Sequence, residues 1–405
     1  MGAINDKVGW SAQEWRTVMY NIQVMAQELG LPPIMYGLDS IHGATYVYGA
    51  AMFPQAINIG ASFNPQLAYD SGLITGKDTR AAGVPWIFSP VLGLALQPLW
   101  ARFGETFGED PYLAAQMGSM LIQGLQSEDN GYEGFPPRGG ACMKHFIGYS
   151  EPNNGHDRSP VTMADRLMRQ LFLPSFKAAV DAGVMSAMES YNSLGGVPMV
   201  TSTEYLTNLL RFEMNFTGPL VTDYTEIENL HTFHKVSATE GDAVELAISE
   251  TTIDMSMVPD NGIFSNNLVS LVNTGVIDIA RVDTSVLRIL RMKNTLGLLE
   301  MPIPPKEEVS LTDTVGSDAD YDLSLQTARE SIILLANGES NEVLPIPTSS
   351  HVALGGPTCD SLASQSGGWT FHWQGALSNT EFIKGVTIKQ GFEMYNNGGT
   401  VREIV

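Results

Sequence analysis

Cysteine is nearly absent: Cys142 and Cys359 are the only two in 405 residues, too few for a disulfide framework or a thiolate zinc cluster. Positive charge is scarce as well. Twenty-two Lys and Arg against 44 Asp and Glu leave a net charge of −22, a field that repels phosphate backbones and anionic lipid, so nucleic acid and membrane surfaces are excluded as partners. No apolar run reaches the ~18 residues a membrane helix needs. The opening Met1-Gly-Ala-Ile-Asn-Asp-Lys7 has no apolar core of a secretory signal, and Asp6 does not fit a myristoylation site. The chain starts abruptly, as if sequence preceded it. No Gly-x-x-x-x-Gly-Lys-Ser/Thr loop exists, so a phosphate cradle of that kind is ruled out.

What is present suits a large α/β enzyme. Apolar residues make up 43% and charged ones 16%, with 40 Gly and 22 Pro for many turns. Helical spacing of Trp15, Val18, Met19, Ile22, Met25 and Leu29 predicts a helix over 14–29, stopped by Gly30 and Pro32-Pro33. Six strand-length apolar runs follow, each ending in polar or turn residues: Ile34–Leu38 at Asp39, Trp86–Ser89 at Pro90, Ala141–Ile147 at Gly148, Val184–Ser190 at Tyr191, Gly218–Thr222 at Asp223 and Ile253–Val258 at Pro259. Amphipathic stretches lie between them. One opens at Asp110-Pro111, one covers 164–182 with a kink at Pro174, and one opens at Asp283 and closes at Gly297. Strand–helix alternation of this kind implies an α/β fold with a parallel sheet, closed as a (β/α) TIM-like barrel over residues 1–300. Residues 301–320, rich in Pro and acid, read as a linker. A helix near 321–331 and strands at Ile332–Leu335 and His351–Leu354 open a second α/β domain over 321–405.

In a barrel, chemistry sits at the C-terminal ends of the strands. Those ends carry Asp39, Lys144, His145, Tyr191 and Asp223, joined by Arg102 from the segment after the second run. Two carboxylates, two cations, an imidazole and a phenol suit a sugar: acids and bases serve vicinal hydroxyls, and an aromatic covers the apolar ring face. Each has a plainer reading. Asp39 can cap the next helix, Lys144 and Asp223 can form a structural ion pair, and His145 can be a satisfied core histidine. Their convergence is what favours function. His231-x-x-His234 is half a metal site with no third ligand, more simply a solvated helix face. Asn215-Phe-Thr217 is a short sequon. No metal or cofactor is called for.

The ordered strings Tyr36-Gly-Leu-Asp-Ser-Ile-His-Gly43, Phe53-Pro54, Gly104-Glu-Thr-Phe-Gly-Glu-Asp-Pro-Tyr112, Met143-Lys-His-Phe-Ile-Gly-Tyr149, Ser190-Tyr-Asn192, Gly196-Val-Pro198, Val221-Thr-Asp-Tyr224 and Gly367-Gly-Trp-Thr370 resemble glycoside hydrolase family three, of the β-glucosidase and exo-β-glucanase type. The resemblance runs over nearly the whole chain. It implies a barrel followed by an α/β sandwich, and a retaining mechanism in which Asp223 is the nucleophile. It makes Asp39, Arg102, Lys144, His145 and Tyr191 the residues that hold the glucosyl unit, with cations keeping Asp39 and Asp223 ionised. Tyr224 and Trp373 become the aromatics that sandwich the next sugar. The implied partner is a β-glucoside or β-glucan oligosaccharide, and the implied setting is extracellular.

The chain also departs from the pattern. Gln97-Pro-Leu-Trp-Ala-Arg102 stands where the family reads Asp-Pro-Arg-Trp-Gly-Arg, which unsettles that loop. Thr251-Thr252 replace Ala-Gly and threaten to overpack the barrel wall, and Tyr224 replaces a Trp. The resemblance puts the family's first strand before Met1 and its acid/base glutamate beyond Val405; Glu381 and Glu393 lie in the wrong stretch for that role. Two rivals stand beside the glucosidase: a truncated non-catalytic sugar binder, and a β-N-acetylhexosaminidase working through His156-Asp157.

Overall fold

The structure is a computed structural model that describes residues 9–128, 133–258, 261–338 and 343–404. The readings placed on Met1–Lys7, Pro259 and Val405 lie outside these residues. The six apolar runs form one sheet: β1 (Gly37–Leu38), β2 (Trp86–Ile87), β3 (Gly140–Phe146), β4 (Ser186–Glu189), β5 (Leu220–Tyr224) and β6 (Met255–Met257). Every pair is parallel and the strands lie in sequence order. At ~4.8 Å per strand a flat sheet of this size spans ~24 Å. Here Asp39, just past β1, and Met257, on β6, line one cavity. The sheet therefore curls in the TIM-like manner, although no ladder joins β6 to β1 among the described residues.

Strand alternation divides the side chains between two cores. Ile87, Ala141, Met143, Ala187 and Leu220 face the helices in the largest cluster. Trp86, Cys142, Met188 and Val221 face the barrel interior. Lys144 and Asp223 follow two residues after Cys142 and Val221, so the same alternation carries them inward at the strand ends.

The helices start where short polar side chains catch free amides. Ser11 and Glu14 form a capping box on α1 (Ala12–Glu28), and Asn64 and Asp110 cap α2 (Pro65–Ala81) and α3 (Pro111–Leu125), each with Pro at its first position. In the 164–182 stretch a π-helical turn, Met168–Phe172, leads into α4 (Leu173–Asp181). Pro174 thus lies inside one helical run from Asp165 to Asp181, directly after the π-helical turn that interrupts its regular ladder. Three further helices follow: α5 (Glu226–Thr232), α6 (Glu240–Glu250) and α7 (Ile263–Asn273). The next, α8 (Ile279–Thr295), begins earlier than expected: Asp278 accepts from the Ala280 amide as its cap, which leaves Asp283 inside the helix.

Residues 301–320 lie against the barrel. Arg16 donates to the carbonyl of Pro305, Leu311 is fully buried, and Lys77 Nζ reaches Thr314 O at 2.7 Å and Asp320 at 2.6 Å. Helix α9 (Asp318–Glu330) follows. The expected strand Ile332–Leu335 is not one: these four apolar residues are exposed and pair with no strand among the described residues. Strands β7 (Val352–Gly355) and β8 (Val401–Ile404) run parallel. Both cysteines are free and buried. Thr251 and Thr252 do not overpack the wall; their hydroxyls donate to Ala247 O at 2.7 Å and Leu206 O at 2.6 Å.

Candidate active site

The eight residues singled out from sequence, Asp39, Arg102, Lys144, His145, Tyr191, Asp223, Tyr224 and Trp373, all line one cavity of about 390 Å³ at the C-terminal ends of the strands. Neighbours in sequence normally face opposite ways on a strand. Lys144 and His145 both face the cavity because the β3–β4 register shifts between Met143 and Phe146.

Lys144 Nζ donates to Asp39 Oδ1 at 2.6 Å, with both side chains nearly buried. The carboxylate partner is therefore Asp39 rather than Asp223, and no helix follows for Asp39 to cap. Arg102 holds its place despite the altered loop. It pairs in bidentate fashion with Glu105 at 2.9 and 2.8 Å, and its guanidinium lies 5.7 Å from the rings of both Tyr149 and Trp369.

Asp223 ends β5. Its Oδ1 accepts from the Tyr224 amide at 2.7 Å, and His145 Nε2 lies 3.4 Å from Oδ2, which has no hydrogen-bond partner among the described residues. Burial raises its pKa above the ordinary 3.8; Arg102, Lys144, the Tyr224 amide and Tyr191 oppose that rise without cancelling it. Burial, then Arg102, Lys144 and Arg158, hold the His145 pKa well below 6.5, so the ring is neutral. Tyr224 and Trp373 stand at the rim, 40% and 56% exposed, where a flat ligand can meet them.

Several lining residues were given no place in the sugar site by the sequence reading: Tyr46, Arg158, Met188, Met257, Trp369 and Asp157, the last named only as half of the hexosaminidase pair. Trp369 had a signal, the Gly367-Gly-Trp-Thr370 string, and its ring faces Lys144 at 5.1 Å. Arg158 lies 3.9 Å over the Tyr191 ring, a contact no local pattern announces. Asp157 Oδ1 accepts from Tyr149 at 2.6 Å and Trp100 Nε1 at 2.9 Å. His156 is exposed and does not line the cavity, which removes the geometry the hexosaminidase reading requires.

Neither Glu381 nor Glu393 lines the cavity; Glu381 accepts from His372 and the Leu377 amide, and Glu393 is exposed. His231 and His234 do not share a helix face either. His234 lies beyond the end of α5, with Nε2 2.6 Å from Glu226. Among the described residues no group of three His, Cys, Asp or Glu could hold a metal, and no helix is long and apolar enough to cross a membrane.

A buried carboxylate ringed by cations, phenols and a neutral imidazole, with aromatics at the mouth, is suited to attack on an activated carbon of a hydroxyl-rich ligand. Known proteins carry the same architecture. The chain is 42% identical over 391 residues to a lysosomal β-glucosidase of Dictyostelium discoideum, covering 95% of this chain and 47% of that protein. An exo-1,3/1,4-β-glucanase from a Pseudoalteromonas species superposes with a TM-score of 0.87 at 27% identity, over 100% of this chain and 50% of that one. A β-glucosidase from Listeria innocua in complex with glucose superposes with a TM-score of 0.82 at 26% identity, over 95% and 51%. The chain thus spans about half the length of the relatives it matches. The N-terminal domain of glycosyl hydrolase family 3 matches residues 8–292, and the chain belongs to that family.

Proposed function

We propose that this chain carries the nucleophile of a retaining β-glucosidase that releases glucose from the non-reducing ends of β-glucosides or β-glucan oligosaccharides. The carrying observation is Asp223, buried at the end of β5 with its carboxylate at the wall of the cavity and oriented by the Tyr224 amide. The carboxylate attacks the anomeric carbon, the glycosidic bond breaks, and the resulting glycosyl ester is then hydrolysed by water. Asp39, Arg102, Lys144, His145 and Tyr191 hold the non-reducing glucosyl unit by its hydroxyls. Tyr224 and Trp373 flank the next sugar of a β-glucoside or β-glucan oligosaccharide. Among the described lining residues the other carboxylates are Asp39 and Asp157, and both already accept hydrogen bonds, so neither is assigned as general acid.

On the same reading, residues 321–404 belong to an α/β sandwich that lends Trp369 and Trp373 to the site, 1–300 is the barrel and 301–320 its connection. An extracellular or lysosome-like setting accompanies it; the amoebal relative, named as lysosomal, supports a place outside the cytosol. The test is intact mass and peptide mapping after incubation with an activated 2-deoxy-2-fluoro-glucoside, whose leaving group departs without acid assistance. One fluoroglucosyl group on Asp223 is the expected result. No label on folded protein leaves a sugar binder without catalysis.

A further inference from the structure

Behind the nucleophile lies a second carboxylate that the reaction above does not use. Met188 faces the cavity, so the next residue, Glu189, points to the other side of β4 and is fully buried. Its Oε2 accepts from the backbone amide of Asp223 at 3.2 Å, and its Oε1 has no partner. Glu226, buried at the start of α5, accepts from Asn229 at 2.7 Å and from His234 at 2.6 Å. The charged groups acting on Glu189 are Glu226 and Asp223, both acidic, while Arg102 and Lys144 act on Asp223 and His234 on Glu226. The β3 residue in register with Glu189 is Phe146, which carries no charge. A buried carboxyl with acidic neighbours keeps its proton rather than ionise.

We propose that Glu189 is a positioning residue for Asp223 that stays uncharged near neutral pH. As a neutral carboxyl it fixes the Asp223 amide from behind the strand without setting a second negative charge beside the attacking carboxylate. The role rests on Asp223 being the nucleophile; the protonation state does not. Burial, with Glu226 and Asp223, raises the Glu189 pKa well above 4.5, in agreement with the geometry.

Two measurements test this. In the first, the rate of fluoroglucosyl labelling is followed against pH. Glu189→Ala slows it about tenfold or more by loosening the strand end, and Glu189→Gln, a neutral isostere, restores most of that loss and leaves the acid limb in place. If Glu189→Gln moves the limb down by about a unit or more, Glu189 was charged; if Glu189→Ala labels at the wild-type rate, it positions nothing. Either result overturns the proposal. The second needs no catalysis. A pKa above its unfolded value means that wild-type stability falls as pH rises past 4.5. The difference Tm(Glu189→Gln) minus Tm(wild type) then grows by about 2 °C per pH unit, with Asp223 and Glu226 common to both proteins. A difference that stays flat overturns the protonation claim even in a chain that never labels, whereas failed labelling of the wild type counts against the hydrolase reading alone.

Discussion

Lys144 shows how a single residue can be structural and functional at once. Its ammonium is buried against Asp39 at 2.6 Å, so Lys144→Met leaves a carboxylate without its partner in a low-dielectric wall. The expected cost is about 3–5 kcal/mol in denaturant unfolding. Adding Asp39→Asn recovers most of that stability but, if the pair holds the sugar as proposed above, no labelling. Asp223 gives a second prediction. It must be ionised to attack, and burial raises its pKa above 3.8, so the labelling rate falls with falling pH at a midpoint above that value. A midpoint at or below 3.8 means that the cations outweigh desolvation. At this scale the sequence was readable where residues closed apolar runs, as Asp39 and Asp223 do. Arg158 was not readable, and Asp157 was read only as a partner of His156, because both reach the cavity from a long loop whose path depends on Trp100 and Tyr149.

Helix contacts decide more than helix propensity does. Glycines on α2 and α3 let the two backbones approach: a Cβ at Gly124 falls 2.1 Å from Tyr69 O, and one at Gly72 falls 2.5 Å from Leu121 O. Gly124→Ala therefore lowers Tm although Ala is better than Gly in a helix by about 1 kcal/mol, since overpacking costs about 1–3 kcal/mol. Gly391→Ala, in the exposed helix Ile388–Tyr395 with nothing within 4 Å, raises Tm; scanning calorimetry of the pair separates packing from propensity. Strand positions were legible because parallel strands are apolar runs with polar ends. Two things were not. The register break that turns both Lys144 and His145 inward is set by pairing with β4, and Ile332–Leu335 has strand composition without a partner strand among the described residues. Asp283 and Asp278 illustrate a local ambiguity: both precede an apolar face, and only the fold chooses the cap.

The whole molecule is held together at the cavity by the loop that carries the two tryptophans. His42 sits between Phe53 O at 2.8 Å and Thr370 Oγ1 at 3.0 Å, Thr45 donates to Trp369 O, and Gln55 donates to Ser366 O and Gly368 O. His42→Ala frees this loop without touching the nucleophile. Limited proteolysis then cuts within 360–375 sooner than in the wild type, and saturation of labelling needs a higher reagent concentration while the maximal rate changes little. The His42–Thr370 bond joins positions 328 residues apart. Asp223 and the strand ends that line the cavity therefore precede, along the chain, the two tryptophans that line it from the loop. Because that loop is encoded separately from β5, substitutions in it can reshape the cavity mouth and leave the Asp223 carboxylate as it was.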